Sequence, residues 1–188
     1  EAVPGLPLMR FGTYGRGIWD YSIEDPQPVG PGVSYCFGDT VSGCPCGNAN
    51  DGSLESGQSG CANSVSLGGA ALTASGSESI SAADLVLNSI GLDPGQPGLY
   101  FQGDNRVGGG LGIYFGDGLR CAGSNVVRMQ VVTADIFGDS STSLDVASVG
   151  GVSAGDVKRY QLWYRNPGVS SCLSGFNLTN GYEVAWTP

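Results

Sequence analysis

The segment Phe176-Asn-Leu-Thr-Asn-Gly-Tyr-Glu-Val-Ala-Trp186 decides the fold class of this chain. Large apolar side chains alternate with polar or small ones on both sides of Asn180-Gly181, and a period of two is typical of a strand that buries one face. An Asn-Gly pair between two such runs favours a two-residue type I′ turn. We therefore predict a terminal β-hairpin with its apolar face on a core. Its polar face, including the glycosylation sequon Asn177-Leu-Thr179, should be open to solvent.

Shorter apolar runs recur upstream, roughly every 8–15 residues, with Gly, Asp and Ser turns between them. They span residues 70–74, 84–90, 99–103, 108–115, 125–132, 143–149 and 158–165. The 188-residue chain contains 33 glycines and only 13% charged residues, a composition with few helix formers. These patterns predict an all-β fold over residues 33–188, a disulfide-stapled β-sandwich or jelly roll of about nine or ten strands.

Six cysteines, an even number, predict three disulfides. Four crowd into a Cys-rich loop region, residues 35–64, and two lie farther along the chain: Cys36, Cys44, Cys46, Cys61, Cys121 and Cys172. A zinc site is disfavoured because Cys44-Pro-Cys46 is a C-x-C motif and the chain has no histidine. We favour a Cys121–Cys172 bond, which would tie the centre of the C-terminal region to the approach to its last hairpin, and leave the other pairings open. Disulfides imply an oxidising compartment, so we expect a secreted protein, extracellular or at the cell surface.

The N-terminal segment differs from the rest of the chain. Residues 1–25 contain two strand-like runs around a Gly-rich middle, and residues 26–32 form a Pro/Gly linker. Two strands cannot bury their aromatic side chains alone, so this arm is expected to pack on its own domain, to pack on another copy, or to be disordered. An arm that donates a strand to another copy would build a homo-oligomer or polymer, with Trp19 as an interface candidate. Because the chain starts at Glu1 without Met, we expect a processed or excised product.

Two resemblances rest on particular motifs. The string Gly12-Thr-Tyr-Gly-Arg-Gly-Ile-Trp19 is similar to the blade-closing segment of sialidase-like (BNR-type) β-propellers, which implies that the arm is the tail of a propeller. Further motifs include Cys36-Phe-Gly-Asp39, Cys44-Pro-Cys-Gly-Asn48 and Tyr160-Gln-Leu-Trp-Tyr-Arg165. Their order resembles a C-terminal domain of large secreted proteins of planctomycete- and myxobacterium-type bacteria. This resemblance implies secretion and an appended C-terminal position, and it supplies no catalytic residues.

Composition disfavours several function classes. The formal charge of −9 argues against nucleic-acid binding, and no apolar run approaches the roughly 20 residues of a membrane span. Without histidine there is no Ser-His-Asp triad and no His-ligated metal. Asp104 and Asp117 are the best carboxylate pair for glycosidase chemistry, but both stand in turn contexts. No cofactor is expected; calcium held by surface carboxylates is the alternative to a purely solubilising role for the acidic residues.

Aromatic strand residues and their neighbours are the best candidates for a ligand or interface site: Trp163, Tyr164, Arg165, Tyr100 and Trp19. Trp163 shares a strand face with Gln161 and Arg165, opposite Leu162. If the Leu162 face is core, Trp163 lies on the surface. We therefore predict a non-catalytic extracellular structural, adhesion or assembly module. A carbohydrate-binding accessory module with a polysaccharide partner is the alternative, favoured by exposed coplanar aromatic rings and disfavoured by buried ones. A glycoside hydrolase fragment is the third interpretation.

Overall fold

The structure is a computed structural model that describes residues 8–13, 17–22, 30–41, 43–168 and 171–188, the first two ranges by their backbone alone. Its strands, in chain order, are β1 Leu8–Thr13, β2 Gly17–Ser22, β3 Val33–Tyr35, β4 Ala71–Ser75, β5 Val86–Ile90, β6 Pro97–Gly103, β7 Asn105–Arg106, β8 Ile113–Phe115, β9 Gly118–Arg120, β10 Ala122–Gly123, β11 Val127–Thr133, β12 Ser140–Ser141, β13 Val157–Arg165, β14 Phe176–Leu178 and β15 Gly181–Ala185. One α-helix, α1, spans Val146–Gly150, and short 3₁₀ turns span Glu55–Gly57 and Val107–Gly110. The predicted disulfide-rich all-β fold is confirmed.

Two antiparallel sheets form the body of the domain. The larger sheet has the strand order β11-β6-β13-β15-β3, with β14 also paired to β13, and the smaller sheet has the order β12-β5-β4. Three two-stranded ribbons, β1-β2, β7-β10 and β8-β9, complete the described strands. The two sheets pack face to face, since Leu72 and Leu87 of the smaller sheet share one buried core with Tyr160, Leu162 and Val184 of the larger.

The predicted strand at residues 143–149 is wrong, because a helical turn forms there instead. Asp145 caps α1 by accepting a hydrogen bond from Ser148 N (3.1 Å), and Gly151 ends it in the left-handed region at φ 61°. Val146 and Ala147 are buried on this single turn. Their apolar side chains reach the core from a helix as well as they would from a strand.

The last segment pairs differently from the predicted hairpin. β14 and β15 do not pair with each other; both lie along β13, where Arg165 faces Phe176 and Tyr160 faces Tyr182. The two pairings differ in register by one residue, so Asn180-Gly181 lies in a bulge and not in a type I′ turn. Neither residue has the positive φ that such a turn requires. The hairpin prediction is therefore wrong in its partner, although both runs are strands.

Asn180 explains why this bulge forms. Its side chain is fully buried, accepts from Leu72 N (2.7 Å) and donates to Leu72 O (3.0 Å), so it takes the place of a neighbouring strand for β4. The expected solvent-facing sequon is likewise buried. Asn177 is 0% exposed and its Nδ2 donates to Ala62 O (3.1 Å). Buried amides of this kind cross-link the smaller sheet and the Cys-rich loop to the larger sheet.

Three disulfides are present: Cys36–Cys121, Cys44–Cys61 and Cys46–Cys172. The favoured Cys121–Cys172 pairing is wrong. Cys121 is fully buried in a second apolar cluster with Cys36 and Leu119, whereas Cys172 lies in the loop that joins β13 to β14. The Cys-rich region is consequently linked to both halves of the C-terminal part of the chain.

Candidate functional site

Strand register defines the outer face of the larger sheet. Val131 of β11 faces Leu99 of β6, Leu99 faces Trp163 of β13, and Trp163 faces Leu178 of β14. Residues opposite one another on adjacent strands point to the same side of a sheet. Because Leu162 is fully buried in the main core, Trp163 and this apolar row lie on the opposite, outer face.

A cleft of about 440 Å³ opens on this face. We call it the Trp163 cleft. Seven of its eight lining side chains come from strands β6, β8, β9, β11, β13 and β14, and the eighth, Val126, directly precedes β11. The eight are Leu99, Phe101, Phe115, Arg120, Val126, Arg128, Trp163 and Leu178. Phe101 and Leu178 are buried and form a third small apolar cluster against which Trp163 packs. The cleft therefore has a solid apolar floor and a rim that stays open, with Phe115 at 43% and Val126 at 42% exposure.

Aromatic contacts hold the Trp163 ring in place. The ring of Phe176 lies 5.6 Å from that of Trp163 and 5.2 Å from that of Phe115, measured between centroids. The interplanar angles are 38° and 57°, so the three rings are tilted relative to one another. This arrangement walls a cleft and does not make a flat stacking platform.

The cleft also carries two arginines that no carboxylate neutralises among the described residues. Arg120 Nε donates to Ala122 O (3.2 Å), which holds its side chain beside the cleft. Arg128 is exposed and has neither an ion pair nor a side-chain hydrogen bond in the described part of the chain. The cleft is thus a local concentration of positive charge on a protein whose formal charge is −9.

Three other cations of the domain have carboxylate partners. Arg106 Nε and Arg159 Nε both donate to Glu183 Oε2, at 2.8 and 2.7 Å, and Lys158 Nζ lies 2.9 Å from Asp104 Oδ1. The hydrogen bond from Arg106 holds the pKa of Glu183 below its usual range, and the one from Arg159 acts in the same direction. These pairs join β7, β13 and β15, so they stabilise the sheet. Arg120 and Arg128 in the cleft, and Arg165 outside it, have no carboxylate partner among the described residues.

The remaining candidates from the sequence have different fates. Tyr100 and Tyr164 are buried in the main core, where Tyr164 Oη accepts from Asn63 Nδ2 (3.0 Å) and burial raises its pKa. Their rings pack between the sheets, so proposing them as ligand contacts was wrong. Arg165 is exposed on the outer face but does not line the cleft, and the side chain of Trp19 lies outside the described residues.

Sequence reasoning missed Phe101, Phe115, Arg120 and Arg128. Each belongs to a different strand from Trp163, and none is close to it in sequence. The strand order of the larger sheet places Phe101 and Arg128 near Trp163, whereas Phe115 and Arg120 come from the separate β8-β9 ribbon that lies beside it. An alternation pattern indicates which face a residue occupies, but it does not indicate which strand lies beside it.

The two carboxylates considered for glycosidase chemistry lie far apart. Asp104 is bound to Lys158, whereas Asp117 is fully buried and its N donates to Phe176 O (3.2 Å). Asp104 thus lies near Lys158, and Asp117 lies near Phe176, which faces Arg165. Lys158 and Arg165 are at opposite ends of β13, roughly 23 Å apart at the rise per residue of a strand. Carboxyl pairs in glycosidases are separated by about 5–9.5 Å. Asp104 and Asp117 therefore do not form such a pair.

Within the described ranges, no cluster of three or more Cys, Asp or Glu side chains could hold a metal ion. None of the helices described is long and apolar enough to cross a membrane. Comparison with protein-family models, with curated proteins and with solved structures found no match to this chain.

Proposed function

We propose that this chain is a non-catalytic extracellular adhesion module that binds its partner in the Trp163 cleft. The observation that carries the proposal is an open apolar cleft, with a half-buried tryptophan wall and two arginines that lack carboxylate partners among the described residues. Concave, mostly apolar sites with a few placed polar groups are the usual form of binding sites. An exposed apolar surface of this kind is costly unless a partner covers it.

The chemistry of the lining supports binding without catalysis. Among the eight lining side chains, only Arg120 and Arg128 are ionisable. A guanidinium stays protonated and does not act as a general base or a nucleophile. The lining can therefore orient and hold an anion, but it offers no proton acceptor.

An extracellular setting is supported by the three disulfides, because such bonds persist in oxidising compartments. The resemblance of the motif order to a domain of large secreted bacterial proteins points to the same setting. In such a protein, an appended module of this kind would attach the parent protein to a partner outside the cell.

The proposal is tested by probing a panel of immobilised peptides, polysaccharides and lipid vesicles with the wild type and with Trp163→Ala. We expect binding whose affinity falls by about tenfold or more in the variant, the loss expected when a central aromatic contact is removed. Phe137→Ala is the matched control, since Phe137 is 78% exposed and does not line the cleft. Binding that Phe137→Ala weakens as strongly as Trp163→Ala, or that neither change affects, would contradict the proposed site.

A second candidate function, assembly of copies through residues 1–25, is favoured by the arm itself. β1 and β2 pair as a hairpin in which Phe11 faces Trp19. An isolated two-stranded hairpin is marginally stable in water, so it needs a surface to pack on. Light scattering with and without residues 1–25 tests this function. Particles that grow with concentration and disappear on truncation would support assembly, whereas a monomer in both cases would refute it.

A further inference from the structure

We infer that the ligand of the Trp163 cleft is an extended peptide segment of a partner protein, in which an apolar side chain stands next to a carboxylate. This inference rests on the proposed adhesion function and specifies its ligand class. Three properties of the cleft lead to it: the absence of acceptor side chains, the two uncompensated arginines, and the apolar row that continues beyond the cleft.

The lining selects for an apolar body. Six of the eight lining side chains are aliphatic or aromatic, and the other two are arginines, which only donate hydrogen bonds. No lining side chain accepts one. A sugar ring brings several hydroxyl donors, which would lose water in the cleft without finding side-chain acceptors. An apolar side chain has no such cost and gains about 25 cal/mol for each Å² of surface that it buries.

The arginines select for a negative charge. A neutral apolar ligand that covers the cleft would remove water from Arg128 without replacing it, and an unpaired charge is costly to desolvate. A carboxylate can accept two parallel hydrogen bonds from one guanidinium. Arg120 is held next to the cleft through Ala122 O and can contribute to the same anion from the β9 side. The cleft therefore favours an apolar group with a carboxylate close to it.

The surface around the cleft favours a peptide over a single amphipathic molecule such as a fatty acid. The apolar row runs across four strands from Leu178 through Trp163 and Leu99 to Val131, which is 70% exposed. Neighbouring strands are about 4.8 Å apart and Leu178 is buried, so the accessible part of the row, from Trp163 to Val131, is roughly 10 Å long. An open row of this length leaves an alkyl chain partly in water. An extended peptide can place one apolar side chain in the cleft and another on Val131, with acidic side chains between them reaching Arg128.

The inference is tested by isothermal titration of the full chain with capped heptapeptides that alternate Phe and Asp. Two matched peptides replace Asp by Asn or Phe by Ser, and an oligo-uronate and dodecanoate serve as non-peptide anions. We expect the Phe-Asp peptide to bind about tenfold or more tightly than the Asn peptide, the discrimination of a charge-assisted hydrogen-bond pair. The Ser peptide and both non-peptide anions should bind more weakly still.

Variants of single arginines identify which residue recognises the carboxylate of the peptide. Arg128→Gln should reduce the preference for Asp over Asn to below about threefold, because it removes one charged donor at an exposed position that folding does not depend on. Arg165→Gln, which changes an exposed arginine on the same face that does not line the cleft, should preserve the preference. Circular dichroism of both variants should match the wild type.

Equal affinity for the Asp and Asn peptides would overturn the inference. So would binding of the oligo-uronate or dodecanoate more tightly than the Phe-Asp peptide. In these cases a ligand whose affinity still depends on Trp163 would leave the proposed adhesion function standing. If no probe of any class responds to Trp163→Ala, both the inference and the proposed site are refuted.

Discussion

Removal of the Cys36–Cys121 disulfide should destabilise the domain more than removal of the Cys44–Cys61 disulfide. The bond spans a sequence separation of 85 residues, against 17 for Cys44–Cys61. Loop-closure entropy then assigns it about 4.6 kcal/mol of stability, compared with about 3.1 kcal/mol for the shorter loop. Both sulfurs are buried beside Leu119, so two alanines also leave a small cavity that costs about 1 kcal/mol more.

The assay is equilibrium unfolding in urea of Cys36→Ala/Cys121→Ala, with Cys44→Ala/Cys61→Ala as the matched control. A total loss of about 5–6 kcal/mol approaches the whole stability of many domains, so the first variant should be partly unfolded without denaturant. The control should remain folded, with a lower midpoint than the wild type. Equal midpoints for the two variants, or a less stable control, would refute the reasoning from loop length.

Connectivity is tested separately from stability by the single variant Cys121→Ala. It should release one thiol, and alkylation followed by mass spectrometry should locate that thiol on Cys36. An alkylated Cys172 would mean that the Cys36–Cys121 pairing is wrong and that the pairing favoured by the sequence is right.

Two further predictions concern buried polar groups. Asn180→Ala should lower the free energy of unfolding by about 3 kcal/mol, because it leaves the N–H and C=O of Leu72 without partners inside the domain. Asn105→Ala is the control: Asn105 is exposed and its side chain makes no hydrogen bond among the described residues, so the change should cost less than about 0.5 kcal/mol. A loss for Asn180→Ala no larger than this would contradict the bridging role. Glu183→Gln should cost about 1–2 kcal/mol at neutral pH, since it weakens three charge-assisted hydrogen bonds from two arginines. Because the pKa of Glu183 is lower in the folded state than its ordinary value of 4.5, the Glu183 carboxylate contributes fully to the free energy of unfolding above about pH 4.5. That contribution is lost as pH falls through the folded-state pKa. The difference in stability between the wild type and Glu183→Gln should therefore shrink between pH 7 and pH 3, and a difference that stays constant over this range would count against the ion pairs.

Much of the fold could be predicted from local patterns. Apolar runs correctly located β4, β5, β6, β11 and β13, because a period-two pattern with turn residues between runs reflects strands with one buried face. The hairpin prediction failed because a tertiary hydrogen bond outweighed a local preference. Asn180 would suit a type I′ turn, but its side chain instead forms hydrogen bonds with the N–H and C=O of Leu72.

The site was predictable only in part. Alternation along β13 predicted that Trp163 would be outward-facing if Leu162 were core, and the structure buries Leu162. The cleft walls from β6, β11 and β14 depend on strand order in the larger sheet, and those from β8 and β9 depend on how a separate ribbon packs beside β14. That order results from pairings between distant segments, such as β6 with β13, which no short stretch of sequence encodes.

The most direct test of the central claim, that the Trp163 cleft accepts an apolar anion, is a titration with 8-anilinonaphthalene-1-sulfonate followed by backbone amide shifts. This dye combines an aromatic body with a negative charge and reports exposed apolar surface. We predict saturable one-to-one binding that shifts the Trp163 indole N–H together with the amides of Leu99, Phe101 and Arg128. Binding should be lost in Trp163→Ala. Shifts confined to other exposed apolar residues, such as Tyr114 or Phe137, or dye binding that Trp163→Ala leaves unchanged, would contradict the account.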